Sequence, residues 1–156
     1  SSAGAAVWHG FTNTGNPACC AAGVKTLEIM ERDGIVENSC RMGERLNQRL
    51  QELRSSPIVG DIRILGLMAG VELVRDRQTG EAFPESLGVG GHFRDVAREV
   101  GLLIRAAGDT ICMSPPLIIT AQEVDLMIDR FKAALAQTES WLTVQKESAS
   151  DGKGGV

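Results

Sequence analysis

The chain has 156 residues, 43% hydrophobic and 23% charged, which suits one globular domain with a real core and is too short for two ordinary ones. A net charge of −4 recommends neither nucleic acid nor an anionic membrane as a partner, and no apolar run reaches the length that crosses a bilayer. Residues 1–7 are small and apolar but carry no basic stretch, so they do not read as a signal peptide, and without an initiating Met they are not expected to be a natural start.

The cysteines at 19, 20, 40 and 112 show no zinc-like spacing, and reduced thiols in a cytoplasmic setting are expected. His9 and His92 are far apart in sequence and are expected to be structural or surface groups.

Residues 1–15, rich in Gly, Ser, Ala and Thr, read as an approach segment. Asn16-Pro17 then has the form of a helix start, with Asn as the cap and Pro at the first helical position. Cys20, Val24, Leu27 and Met30 recur at helical spacing up to Gly34. A second helix is predicted from about Val36 to Leu53, with Met42, Leu46, Leu50 and Leu53 facing inward, ended by Ser55, Ser56 and Pro57. The period then changes. Val59–Gly66 and Met68–Val74 read as two strands or one bent strand, followed by a polar loop over 75–86.

A third helix is predicted from about Val89 to Val100, with Gly101 as its stop. Leu102–Arg105 and Thr110–Ser114 form a short antiparallel pair around a turn at Ala106–Asp109, and Pro115-Pro116 ends the ladder. Thr120-Ala121-Gln122-Glu123 is a capping box that opens a last helix, whose apolar positions continue to about Trp141. The polar tail over 143–156 is expected to be disordered. This order describes an α+β domain over 16–142: a small, largely antiparallel sheet with helices on one side.

Gly66, Gly70 and the Gly88, Gly90, Gly91 cluster fit neither a Walker loop nor a dinucleotide fingerprint, so turns and close packing are their expected roles. Asp61, Glu72, Asp76 and Asp109 form no pair that suggests metal or glycosidic chemistry, and Asp109 reads as a turn residue. Met42, Met68 and Met127 are expected in the core.

At His9-Gly10-Phe11-Thr12-Asn13-Thr14-Gly15-Asn16-Pro17 the sequence resembles the class III aminotransferases, the omega-amino-acid transaminases especially. The likeness continues through Val59-Gly60-Asp61-Ile62-Arg63 and Gly66–Leu73, and again from Gly101–Arg105 through Gly108-Asp109 to Ser114–Thr120. It covers most of residues 8–140, in order. The resemblance implies the smaller C-terminal domain of a fold type I enzyme dependent on pyridoxal 5'-phosphate (PLP). It also implies a homodimer acting on small-molecule amines and keto acids, with no nucleic-acid or membrane partner.

By the same resemblance, Thr12 matches a threonine that donates to the cofactor phosphate across the dimer interface; capping a turn is its other reading, and Thr14 competes for that role. Arg105 matches the arginine that binds the substrate carboxylate in the omega branch, against a surface ion pair. The ornithine-type branch instead carries an arginine where this chain has Cys112. Asn13 stands where the family usually has Tyr.

The Schiff-base lysine of the family lies upstream of the His-Gly-Phe-Thr block, and Lys25, Lys132, Lys146 and Lys153 do not match it. No catalytic residue is therefore assigned within this chain, and the isolated chain is expected to be inactive. The function implied is amino-group transfer between an amine or omega-amino acid and a keto acid such as pyruvate. Two alternatives stay open: a catalytically silent binding or dimerisation module, and a free-standing small-molecule-binding domain whose likeness is ancestral.

Overall fold

The computed structural model describes residues 10, 12 and 14–151, with side chains through Gln145. His9, Phe11 and Asn13 of the approach segment and residues 152–156 of the tail lie outside the described residues. The chain divides into two compact units, Ser1–Val36 and Glu37–Val156.

In the first unit, helix α1 spans Pro17–Arg32. The Asn16 side chain accepts the Ala18 and Cys19 amides at 3.0 and 3.2 Å, the cap its sequence predicts. None of the residues of α1 is buried, and Val24 and Leu27 are more than half exposed.

Helix α2 (Ile35–Gln51) continues into a 3-10 turn at Glu52–Ser55. Its inward stripe is as expected: Leu46, Leu50 and Leu53 are buried, and Met42 packs beside them. Strands β1 (Val59–Leu65) and β2 (Met68–Leu73) form an antiparallel hairpin around Gly66, whose φ of +57° lies in the left-handed region that glycine tolerates. Helix α3 spans Val89–Glu99, followed by β3 (Arg105–Ala107), β4 (Thr110–Met113) and α4 (Ala121–Asp151).

The sheet runs β1-β2-β4-β3, and every pairing is antiparallel. Alternation sorts its faces. The row Ile62, Val71, Ile111 is buried and joins Leu46, Leu50, Phe93, Val124, Ile128 and Phe131 from the helices in one core. The adjacent row, Arg63, Gly70, Cys112, Arg105, stands on the open face.

Four expectations need correction. Strand β3 begins at Arg105 rather than Leu102, because the Leu102 amide donates to Ala97 O at 2.8 Å and so still closes α3. The partner strand stops at Met113, just ahead of the prolines that cannot continue a ladder. Helix α4 runs to Asp151, well past Trp141 and into the tail expected to be disordered; no Gly or Pro interrupts Thr143–Asp151, so nothing local stops the helix. Met68 is 62% exposed; it pairs with Leu65 at the hairpin tip, on the open face. Met42 and Met127 do pack against the core.

Ion pairs fasten α2 to α4. Arg45 holds Asp125 through two hydrogen bonds of 3.0 and 2.5 Å, Arg49 bridges Glu52 and Asp129 at 2.6 Å each, and Lys132 donates to Glu52. His92 stacks on Trp141 with ring centroids 4.0 Å apart, so it serves packing between α3 and α4.

Candidate substrate-binding site

An open groove of about 690 Å³ lies along the β3 edge of the sheet. Leu102, Ile104, Met113, Ile119 and Met127 make its wall apolar, and Arg105 and Cys112 face each other across the β3–β4 ladder. Arg105 is exposed, and its guanidinium has neither hydrogen bond nor carboxylate partner among the described residues. Among the described residues the surface ion pair considered from sequence is not formed. A planar cation with five donors, standing free over an apolar wall, is suited to grip a carboxylate bidentately.

Leu103, which also lines the groove, is 85% exposed, so an uncovered apolar side chain stands at its edge. The Cys112 thiol reaches Thr110 O at 3.8 Å, and its small side chain leaves room beside the guanidinium.

Thr12 is exposed, in a turn ahead of α1. It does not cap that helix, since Asn16 does, and its hydroxyl engages no described residue. Thr12 belongs to the first unit and Arg105 to the second. Lys25 is paired with Glu28 at 3.0 Å, both well exposed, and Lys132 is paired with Glu52. Lys132 does not line the groove. No group of His, Cys, Asp or Glu among the described residues could hold a metal ion, and the four cysteines are free.

Asp109 has a second role besides that of a turn residue. It lies in the β3–β4 turn as expected, but its carboxylate also accepts the Gly90 amide at 2.8 Å and so caps α3 from a distant turn. The contact joins residues 19 apart in sequence, beyond the reach of any local capping pattern. The available signal was the absence of Ser, Thr, Asp or Asn at the start of α3, where Gly88 supplies no side-chain cap. Gly90 has its own reason: a Cβ there would lie 2.0 Å from Gly108 O.

Fold and groove together define a small α+β domain with an arginine, unpaired among the described residues, on the wall of an apolar groove. The model of the class-III aminotransferases matches residues 2–135, and the chain belongs to that family. The probable gamma-aminobutyrate transaminase 3, mitochondrial, of Oryza sativa subsp. indica is 40% identical over 131 residues, covering 84% of this chain and 26% of that protein. The adenosylmethionine-8-amino-7-oxononanoate aminotransferase of Aquifex aeolicus is 37% identical over 132 residues, covering 85% of this chain and 29% of that protein.

Among solved structures, the omega transaminase of Pseudomonas jessenii in complex with PMP superimposes with a TM-score of 0.80 at 38% identity, over 94% of this chain and 30% of that one. An (S)-enantioselective omega-transaminase from Thermomicrobium roseum gives 0.80 at 37% identity, over 88% and 31%. The chain thus spans between a quarter and a third of the length of these relatives.

Proposed function

We propose that the enzyme to which this chain belongs transfers an amino group between an amine or omega-amino acid and a keto acid such as pyruvate, with PLP as its cofactor. The observation that carries this reading is the unpaired Arg105 guanidinium on the wall of an apolar groove. Family membership supports the chemistry; the groove supports the substrate class, since an apolar wall strengthens a charge pair formed against it.

The described residues fit the non-covalent contacts of such a site. Thr12 would hold the cofactor phosphate through its hydroxyl, an acceptor-rich group being a natural partner for that donor. Arg105 would hold the substrate carboxylate. Lys25 and Lys132 are each held in an ion pair, and neither is read as the cofactor lysine. When bound, PLP supplies the electron sink for breaking a bond at the amine carbon. The chain's own share is selection: Arg105 anchors an acid, and a neutral amine occupies the groove without it.

A homodimer is part of the proposal, since the family threonine that Thr12 resembles acts across a subunit interface. So is a cytoplasmic setting, supported by four free cysteines, although the rice relative is named mitochondrial. No helix among the described residues is long and apolar enough to cross a membrane.

The test is Arg105→Met in the intact enzyme, with the two half-reactions followed separately by stopped-flow absorbance of the cofactor. Breaking one side of a desolvated Arg–carboxylate pair predicts a fall of at least roughly 30-fold in kcat/KM for pyruvate. The half-reaction with an amine lacking a carboxylate should change by less than about threefold. Equal losses in both would make Arg105 structural, and no loss in either would make it a surface residue.

A further inference from the structure

We propose that Asp109 is a positioning residue for Arg105: its carboxylate fastens the β3–β4 turn to the amino end of α3 and so fixes where the guanidinium stands. The proposal rests on the carboxylate-binding reading of Arg105.

Strand β3 is an edge strand of 3 residues, paired only with β4. So short a ladder holds little by itself, and edge strands fray readily. Arg105 is its first residue, and no described side chain orients the guanidinium. Its aim therefore depends on where the backbone of residues 101–109 is held.

That segment is pinned at both ends. At the start, Arg130 on α4 donates to Gly101 O at 2.7 Å and Leu102 N–H donates to Ala97 O at 2.8 Å. At the far end, Asp109 Oδ1 accepts Gly90 N–H at 2.8 Å, and Asp109 O accepts Leu73 N–H from β2 at 2.9 Å. One residue thus ties the turn to both a helix and the neighbouring central strand.

The tie is close and charged. Gly90 and Gly108 meet with no space for a Cβ, so the turn rests directly on the helix end. The carboxylate stands where the helix dipole favours a negative charge and where Gly88 offers no side-chain cap. Loss of the Asp109 carboxylate frees the turn from α3 while leaving the rest of the core, and Arg105 itself, in place. A displacement of about 1 Å in a binding group is enough to cost on the order of 100-fold in rate.

The experiment compares Asp109→Ala and Asp109→Asn with the parent in the intact enzyme. Asp109→Ala should raise KM for pyruvate by about tenfold or more, while the carboxylate-free amine half-reaction changes by less than about threefold. Asp109→Asn keeps an acceptor oxygen and should return KM to within about threefold of the parent. Amide hydrogen exchange across 105–113 should quicken in Asp109→Ala, with that of 59–65 unchanged. In an Arg105→Met background Asp109→Ala should add less than about twofold, because the two changes act through one group.

Equal losses in both half-reactions, an unchanged KM, or additive losses would overturn the proposal. If Asp109→Ala does not fold, Asp109→Glu keeps the charge and moves it by one methylene; an unchanged KM for pyruvate in that variant would overturn the proposal too. Failure of the functional reading is seen separately: Arg105→Met, with Asp109 intact, would then spare pyruvate, and the positioning role would fall with it.

Discussion

Gly43, midway along α2, faces the carbonyl of Gly66 at the tip of the β1–β2 turn so closely that a Cβ on Gly43 would lie 2.7 Å from the oxygen. Helix and turn touch backbone to backbone. Gly43→Ala should therefore destabilise the domain by about 1–3 kcal/mol, the range of overpacking in a rigid site. Helix propensity alone would favour the alanine by about 1 kcal/mol, so the two effects have opposite signs. The clash prevails because the opposing atoms belong to the backbone of a turn and cannot rotate aside. Urea unfolding decides: a midpoint equal to or above the parent's would show that the turn gives way.

Thr12 makes no side-chain hydrogen bond with the described residues. In the intact enzyme Thr12→Val should thus leave stability alone and weaken PLP retention. A hydrogen bond to a charged group is worth about 1.5–3 kcal/mol, or roughly 10- to 150-fold in affinity. Equilibrium dialysis against PLP reads the effect. An unchanged dissociation constant would return Thr12 to a turn residue.

Acid should loosen α2 from α4. The hydrogen bonds from Arg45, reinforced by its charge, hold Asp125 below its ordinary 3.8. Lys132, through its hydrogen bond, and Arg49 hold Glu52 below its ordinary 4.5. A carboxylate with a lowered folded pKa binds protons more readily in the unfolded chain, so its stabilisation is complete above the ordinary value. It is lost as the pH falls through the lower, folded value. Unfolding free energy should accordingly fall as the pH drops below 4.5, and the double variant Arg45→Gln, Lys132→Gln should flatten that slope. Both pairs are partly exposed, so added salt should shrink the difference. Parallel pH profiles for parent and variant would show that these pairs do not set acid stability.

Much of the architecture was legible because it follows from local chemistry. Asn16-Pro17 starts α1, and Thr120 with Glu123 caps the start of α4 reciprocally, at 2.8 Å from the Thr120 amide to the carboxylate and 3.3 Å from the Glu123 amide to the hydroxyl. The stripe of Leu46, Leu50 and Leu53 marks the buried face of α2 and the 3-10 turn after it, and the change of period near Val59 marks the hairpin. Arg105 and Thr12 were found through the family resemblance; composition and spacing alone would have left them as an arginine and a threonine near turns.

By itself the sequence determined the elements and their order, because caps, glycines and hydrophobic periods act within a few residues of one another. Tertiary structure decided which strand lies beside which, and hence that Cys112 and Arg105 share a row on the open face while Met68 reaches solvent. It also decided that Arg105 has no ion pair among the described residues, and that the Asp109 carboxylate accepts an amide of α3 19 residues away. Such ties depend on how separate elements pack, and no local pattern records a distance between two backbones that meet only after folding.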